Sequence, residues 1–194
     1  MAHGHGGHGI AEGENKKIAI LILVLALFLA IAEILGKSAQ TDALRYNVDA
    51  SNLWAFFQAK TIRKTTMETA AEQMEVDAQL AKDPIVKELL QKRVGAWKTR
   101  AARYESEPET QEGRKELSTR ARALEARSAH ALGQYHIYEY GSGAFQIAIV
   151  LASSYLITQV IYLLWGAFGL AVIGLFFTGL GFVAPNALHF LGAH

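Results

Sequence analysis

Two long stretches of this chain are almost wholly apolar, and the stretch between them is not. Ile18 to Leu35 is built from Ile, Leu, Val, Ala and Phe, interrupted only by Glu33. At 1.5 Å per residue it reaches about 27 Å, close to the hydrocarbon thickness of a bilayer. A secretory signal peptide is the competing reading, with Lys16 and Lys17 as its basic flank. The run is too long for a typical signal core, and Gly36-Lys37-Ser38-Ala39 is a weak cleavage site. An uncleaved span over residues 18–35 is therefore expected. The second apolar block, Ala144 to Ala184, is about forty residues, enough for two helices and too long for one. Its most polar pair, Thr158-Gln159, marks the expected break. That gives spans over 140–157 and 160–184, the second ended by Pro185 and Asn186. Tyr135, Tyr138 and Tyr140, and again Tyr162 and Trp165, sit where interfacial aromatic belts are expected. Residues 1–17 form a His/Gly-rich tail and 185–194 a C-terminal tail.

In the charged segment, 36–139, apolar and small residues recur at alternating spacings of three and four. One series is Ala39, Ala43, Tyr46, Ala50, Leu53 and Phe57. A second is Met67, Ala71, Met74, Ala78, Ala81 and Ile85. A third is Leu90, Val94, Trp97, Ala101 and Tyr104. A fourth runs from Leu117 through Ala121, Leu124, Ser128 and Ala131 to Tyr135 and Tyr138. These are heptad-like seams, several with alanine at the contact positions. Asp83-Pro84 reads as an N-cap with Pro at the first helical position. Ser106-x-x-Glu109 reads as a capping box, with Pro108 in the first turn. Matching the lengths of the outgoing and returning arms favours a hairpin tip near Pro84 and a break over 105–113. The expected fold is all-α: an integral membrane protein with three transmembrane helices, and an antiparallel, coiled-coil-like helical hairpin between the first and second.

Composition sharpens this picture through its distribution. Of the 194 residues 51% are hydrophobic, and the net charge is +1. Yet 32 of the 37 Asp, Glu, Lys and Arg residues lie between Gly36 and Gly143, and none follows Gly143. The charges mark a part in water, and their absence marks a part in lipid, so the lipid bilayer is the first expected partner. The absence of cysteine excludes disulfides and thiolate sites. Near-zero net charge argues against nucleic acid as a partner.

At Asp49-Ala-Ser-Asn-Leu-Trp-Ala-Phe-Phe-Gln-Ala-Lys60 the chain resembles a bacterial membrane family known as domain of unknown function 4337. The resemblance rests on Trp54, Phe56, Phe57, Gln58, Ala59 and Lys60, a W-x-(Phe/Tyr)-(Phe/Tyr)-Q-A-K motif, and on the F-Q-I-A-I opening Phe145 to Ile149. It implies one N-terminal span, a charged helical hairpin and two closely spaced later spans, with no activity attached. Members often carry basic residues at the turn between spans two and three, where this chain has Gln159, Val160 and Ile161. That turn, by resemblance, lies inside. With Lys16 and Lys17 before the first span, the favoured topology is a cytoplasmic N-terminus and an external hairpin in a bacterial inner membrane.

Candidate chemistry is sparse. His3, His5 and His8 on the Gly-rich tail are spaced to wrap Zn, Cu or Ni, or to bind such metals only adventitiously; no other cofactor is expected. Glu33 is an intramembrane carboxylate, to be read either as an interfacial or paired group or as part of an ion pathway. Gln146, Ser153, Ser154, Thr158 and Gln159 are the other polar groups of the spans, suited to hydrogen bonds between helices or to lining a pore. His136 and Glu139 stand i, i+3 on one helix face and can touch. Gly141-Ser142-Gly143 reads as a hinge at membrane entry. Trp54, Phe56 and Phe57 with Trp97 suggest an aromatic patch, either hairpin core or subunit interface, beside Gln58 and Lys60. Ala167, Ala171, Gly174 and Thr178 have small-xxx-small spacing, which suits close helix packing within the chain or between copies. No catalytic motif stands out, so a non-enzymatic structural or interaction protein is expected, assembling as a homo-oligomer through hairpin and third span. The alternatives are an ion- or proton-conducting oligomer and an accessory subunit working with other membrane proteins.

Overall fold

The computed structural model describes the backbone over residues 8–183 and side chains from Asn15 onward. His3 and His5, and the side chain of His8, lie outside the described residues. Four helices follow one another: α1 His8–Leu80, α2 Pro84–Glu105, α3 Arg114–Thr158 and α4 Ile161–Val183. Among the described residues there is no strand. The chain divides into two units, one of Met1–Ala43 with Ala129–His194 and the other of Leu44–Ser128.

Local sequence explains the breaks. From Glu14 to Asp83 the chain has one glycine and no proline, and α1 runs on without interruption. Asp83 then caps α2, its carboxylate accepting from the Ile85 N–H at 2.8 Å with Pro84 in the first turn. The 105–113 interruption differs from the expected capping box. Ser106 ends α2, its N–H bonding back to the Ala102 carbonyl, and does not begin a helix. The α3 ladder starts later, where the Leu117 N–H bonds the Gly113 carbonyl at 2.9 Å. The capping carboxylate is Glu116, which accepts from Ser106 Oγ at 2.7 Å and from the Glu107 N–H at 3.2 Å. Between them Gln111 takes φ 59°. The α3–α4 break falls at Gln159, also at φ 59°, whose N–H closes on the Tyr155 carbonyl at 2.8 Å in a left-handed C-cap.

In the first unit Leu25, Ala32, Phe145, Ala148 and Ala171 form the core, bordered by Leu21, Phe28, Leu29, Ile149 and Leu170. Phe145 is fully buried and stacks on Phe28 with ring centroids 6.0 Å apart. Gly174 and Gly181 of α4 are spent on α3, while Gly169 and Gly179 face open space. A Cβ at Gly174 would stand 2.8 Å from the Phe145 ring, and one at Gly181 2.8 Å from Tyr138. Gly141 and Gly143 do not make a hinge. They lie inside unbroken α3, and at Gly141 the missing Cβ leaves room for Thr178 Oγ1, 2.7 Å from where it would stand. Large apolar side chains such as Leu27, Ile34, Val150, Ile157, Phe168 and Phe176 remain exposed. α1, α3 and α4 are each long and apolar enough to cross a membrane, and lipid is the solvent that such exposed faces suit.

In the second unit the buried hydrophobic side chains are Ala50, Ala71, Ala78, Val94, Ala101, Leu117 and Ala121, all on the four seams read from the sequence. Ile85, at the end of the second series, is 78% exposed. It occupies the first turn of α2, beyond the packed length. α1 and α2 meet at Glu75–Lys98 (2.5 Å) and at Lys64–Glu105 (2.9 Å), and α1 meets α3 where Trp54 Nε1 donates to Glu125 at 2.7 Å.

Candidate functional site

Two adjoining seam positions in the second unit break the apolar rule. Continuing the α1 spacing past Leu53 and Phe57 leads to residues 60 and 64 before Met67 and Ala71, and both are lysines. Lys60 is the buried charged residue among the described ones. Its ammonium lies 5.2 Å from the Phe56 ring centroid and 5.4 Å from that of Tyr104. Two carboxylates face it, Glu112 at 3.6 Å and Glu107 at 3.9 Å. A turn further on, Lys64 reaches Glu105 at 2.9 Å and Glu68 at 3.5 Å. Arg114, at the start of α3, bonds the same Glu105 at 2.7 Å and lays its guanidinium 4.8 Å over Phe57. Arg103 pairs with Glu107.

The electrostatics follow from these pairings. The hydrogen bond from Lys64, with Arg114 nearby, holds the Glu105 carboxyl below the usual carboxylate range, and Glu105 in turn raises Lys64. Arg103 lowers Glu107, and the Ser106 hydroxyl lowers Glu116. Each cation already has acidic partners, and Lys60 and Arg114 also set their charged heads over aromatic rings. Chemically the cluster is a clasp: it ties the end of α2, the 106–113 turn and the start of α3 to a single level of α1. Cation–π contacts and burial give this clasp more worth than the same charges would have on an open surface.

The other candidates are dispersed. Trp54 and Phe57 meet edge to face at 5.4 Å, and Phe56 serves Lys60, but Trp97 is not part of that patch. It lies under Arg93, one residue before Lys98, which pairs with Glu75. Glu75 is about 27 Å of helix beyond Phe57, too far for one aromatic cluster. Gln58 is exposed. Glu33 accepts from Gln146 Nε2 at 3.2 Å, joining α1 to α3. Ser154, Thr158 and Gln159 bond carbonyls of their own helix end, at Val150, Ser154 and Leu156. Ser153 is half-buried. His136 stands 3.5 Å from Glu139. Among the described residues no group of three His, Asp or Glu side chains is placed to hold a metal ion. Ala167, Ala171 and Gly174 are buried, and Thr178 bonds the Gly174 carbonyl at 2.8 Å.

The family model described as Domain of unknown function (DUF4337) matches residues 14–184. The chain belongs to the DUF4337 family. No curated protein and no solved structure matches it. The matched range takes in both the Trp54–Lys60 motif and the Glu105–Arg114 turn that closes on it. In this DUF4337 chain the last motif residue, Lys60, is the centre of the clasp. The acidic half, Glu105, Glu107 and Glu112, and the partners Lys64 and Arg114 escaped sequence reasoning, and Tyr104 was read only as a seam residue. The available signal was the gap between the first two seams, where only two lysines fill the heptad positions.

Proposed function

We propose that this chain is a non-enzymatic structural and interaction protein of the bacterial inner membrane. Its three apolar helices anchor it, and α1, α2 and α3 build an antiparallel, coiled-coil-like hairpin that carries a protein-binding surface into water. The observation that carries this reading is the apolar tip of the charged unit. Ile85 and Leu89 are 78% and 64% exposed beside Leu80 and Val86 at the α1–α2 turn. Water disfavours such a patch, and rimmed by charges it marks a protein contact. The clasp supports the same role, because it gives the hairpin a fixed register. The N-terminus is cytoplasmic and the hairpin external in this reading. Protease added to right-side-out vesicles should cut the hairpin, and full protection would reverse the topology. To test the function, the parent and an Ile85→Asp/Leu89→Asp variant are extracted from native membranes in mild detergent and weighed. The parent should run as a heavier assembly than the variant, which loses whatever the tip holds. A parent that runs as a bare monomer would sink the proposal.

A second reading rests on Glu33. Its bond to Gln146 lies in an apolar stretch and borders a groove of about 280 Å³ shared with Tyr135 and Glu139. Such a pair suits a proton or ion path in an oligomer. Proton flux in liposomes that is abolished by Glu33→Gln would favour it, and absence of flux in the parent would remove it.

A further inference from the structure

α1 carries two heptad stripes in the charged unit, on opposite faces. One is the buried seam that holds Lys60 and Lys64. The other is offset by two residues, about 200° around the helix. Val48, Ala55, Ile62, Thr69 and Val76 repeat on it every seven residues. Asn52, Ala59, Thr66, Gln73 and Leu80 fill the alternate positions, and all ten are exposed. Ile62 is 66% and Leu80 75% exposed. Between Val48 and Leu80 there are eight charged residues: Asp49, Lys60, Arg63, Lys64, Glu68, Glu72, Glu75 and Asp77. None falls on the exposed stripe. The usual arrangement is inverted: the buried face has charges and the water-facing one has none.

We infer that this outer face of α1 seats a second copy of the chain, paired parallel and in register. The inference rests on the interaction role proposed above and names the partner. Three observations select a second copy. First, in-register pairing sets each side chain against its own counterpart, so any charged position would repel itself, and a stripe without charge is what self-pairing requires. Second, its polar members are Asn52, Thr66, Thr69 and Gln73; Thr66 donates to the Ile62 carbonyl at 2.8 Å and Gln73 to Asp77 at 3.4 Å, while the Asn52 and Gln73 amides, each with two donors and an acceptor, can bond their own copies. An asparagine at a core position of a coiled coil fixes register in this way. Third, the area is suited to copies already confined to one bilayer. The stripe is about 50 Å long and about 10 Å wide, which gives roughly 1,000 Å² over two copies, near the lower limit for specific association. Anchoring raises the effective concentration that such an interface needs and orients α1 alike in both copies. Glu72 and Asp77 flank the stripe on opposite sides and face each other across the pair, a like-charge contact that salt screens.

The chain has no cysteine, so single cysteines report directly. Ile62→Cys on the stripe and Ala96→Cys on the exposed face of α2 are oxidised in native membranes. Ile62→Cys should yield a disulfide-linked species of twice the chain mass, in higher yield as salt is raised, and Ala96→Cys should yield at least tenfold less. Adding Thr69→Lys to Ile62→Cys should reduce the yield by at least tenfold at unchanged helicity. Equal linking at both positions, or none at Ile62→Cys, overturns the proposal. Linking of Ile62→Cys to a different protein alone also overturns it, while leaving the broader interaction role intact. A bare monomer in the extraction experiment defeats that role itself.

Discussion

Replacing Lys60 separates packing from charge at the clasp. Its side chain is 8% exposed, so alanine removes about three buried methylenes, or roughly 2.4 kcal/mol at ~0.8 each. The two ring contacts contribute about 1–2 kcal/mol more. The ion pairs add little, on the order of 0–1 kcal/mol, because they are long at 3.6 and 3.9 Å and Glu112 is half exposed. Releasing the side chain returns about 1.5–2 kcal/mol of rotamer entropy. The net loss for Lys60→Ala is about 2–3 kcal/mol. Lys60→Met keeps the stem and gains sulfur–aromatic contact, while Glu107 retains Arg103 and Glu112 turns to water, so its loss stays under about 1 kcal/mol. The assay is amide hydrogen exchange of the full chain in lipid nanodiscs, read over residues 56–64 and 104–114. If opening is local, Lys60→Ala should exchange about 30- to 150-fold faster there, and Lys60→Met under about fivefold. Equal acceleration by the two variants would refute the reasoning, since charge and not packing would then hold the clasp. No acceleration by alanine would show that the turn does not depend on Lys60.

Three further outcomes follow from the geometry. Gly174→Ala drives a methyl to 2.8 Å from the buried Phe145 ring and should destabilise the first unit by about 1–3 kcal/mol. Phe145→Leu in the same chain should recover part of that loss, measured as the detergent midpoint of unfolding. Glu105, Glu107 and Glu116 all have carboxyls lowered from the usual 4.5, so their contribution is full above that value and is lost as pH falls through the lower folded values. Lys64 is raised from 10.5, so its contribution is full below that value and lost only as pH rises through the higher folded one. Exchange over 104–116, corrected for its intrinsic rate, should therefore be flat from about pH 5 to 8 and rise in acid. Gln159 pays left-handed strain at φ 59°, so Gln159→Gly should be neutral or stabilising by up to about 1 kcal/mol, and Gln159→Val should destabilise, by thermal melts in nanodiscs.

The sequence by itself determined the helical class, the apolar stretches and the seams, because these depend on period and composition alone. Proline and a capping aspartate end helices locally, so the Asp83-Pro84 boundary was legible in the same way. What it left open were choices between partners. Ser106 and Glu109 have the spacing of a capping box, but Glu116 takes the Ser106 hydroxyl from ten residues away, and no local pattern encodes that bond. Gly141 and Gly143 look like a hinge until Thr178 is seen to occupy the space that Gly141 leaves. The small residues of α4 suit a neighbouring copy as well as the same chain, and only packing showed Phe145 set against Gly174 and Tyr138 against Gly181. Lys60 and Lys64 left a gap between two seams, because a lysine on a heptad position reads as a surface residue. Tertiary structure closed the gap by bringing three glutamates and an aromatic ring from 40 or more residues away, where burial and charge together make a lysine a core residue.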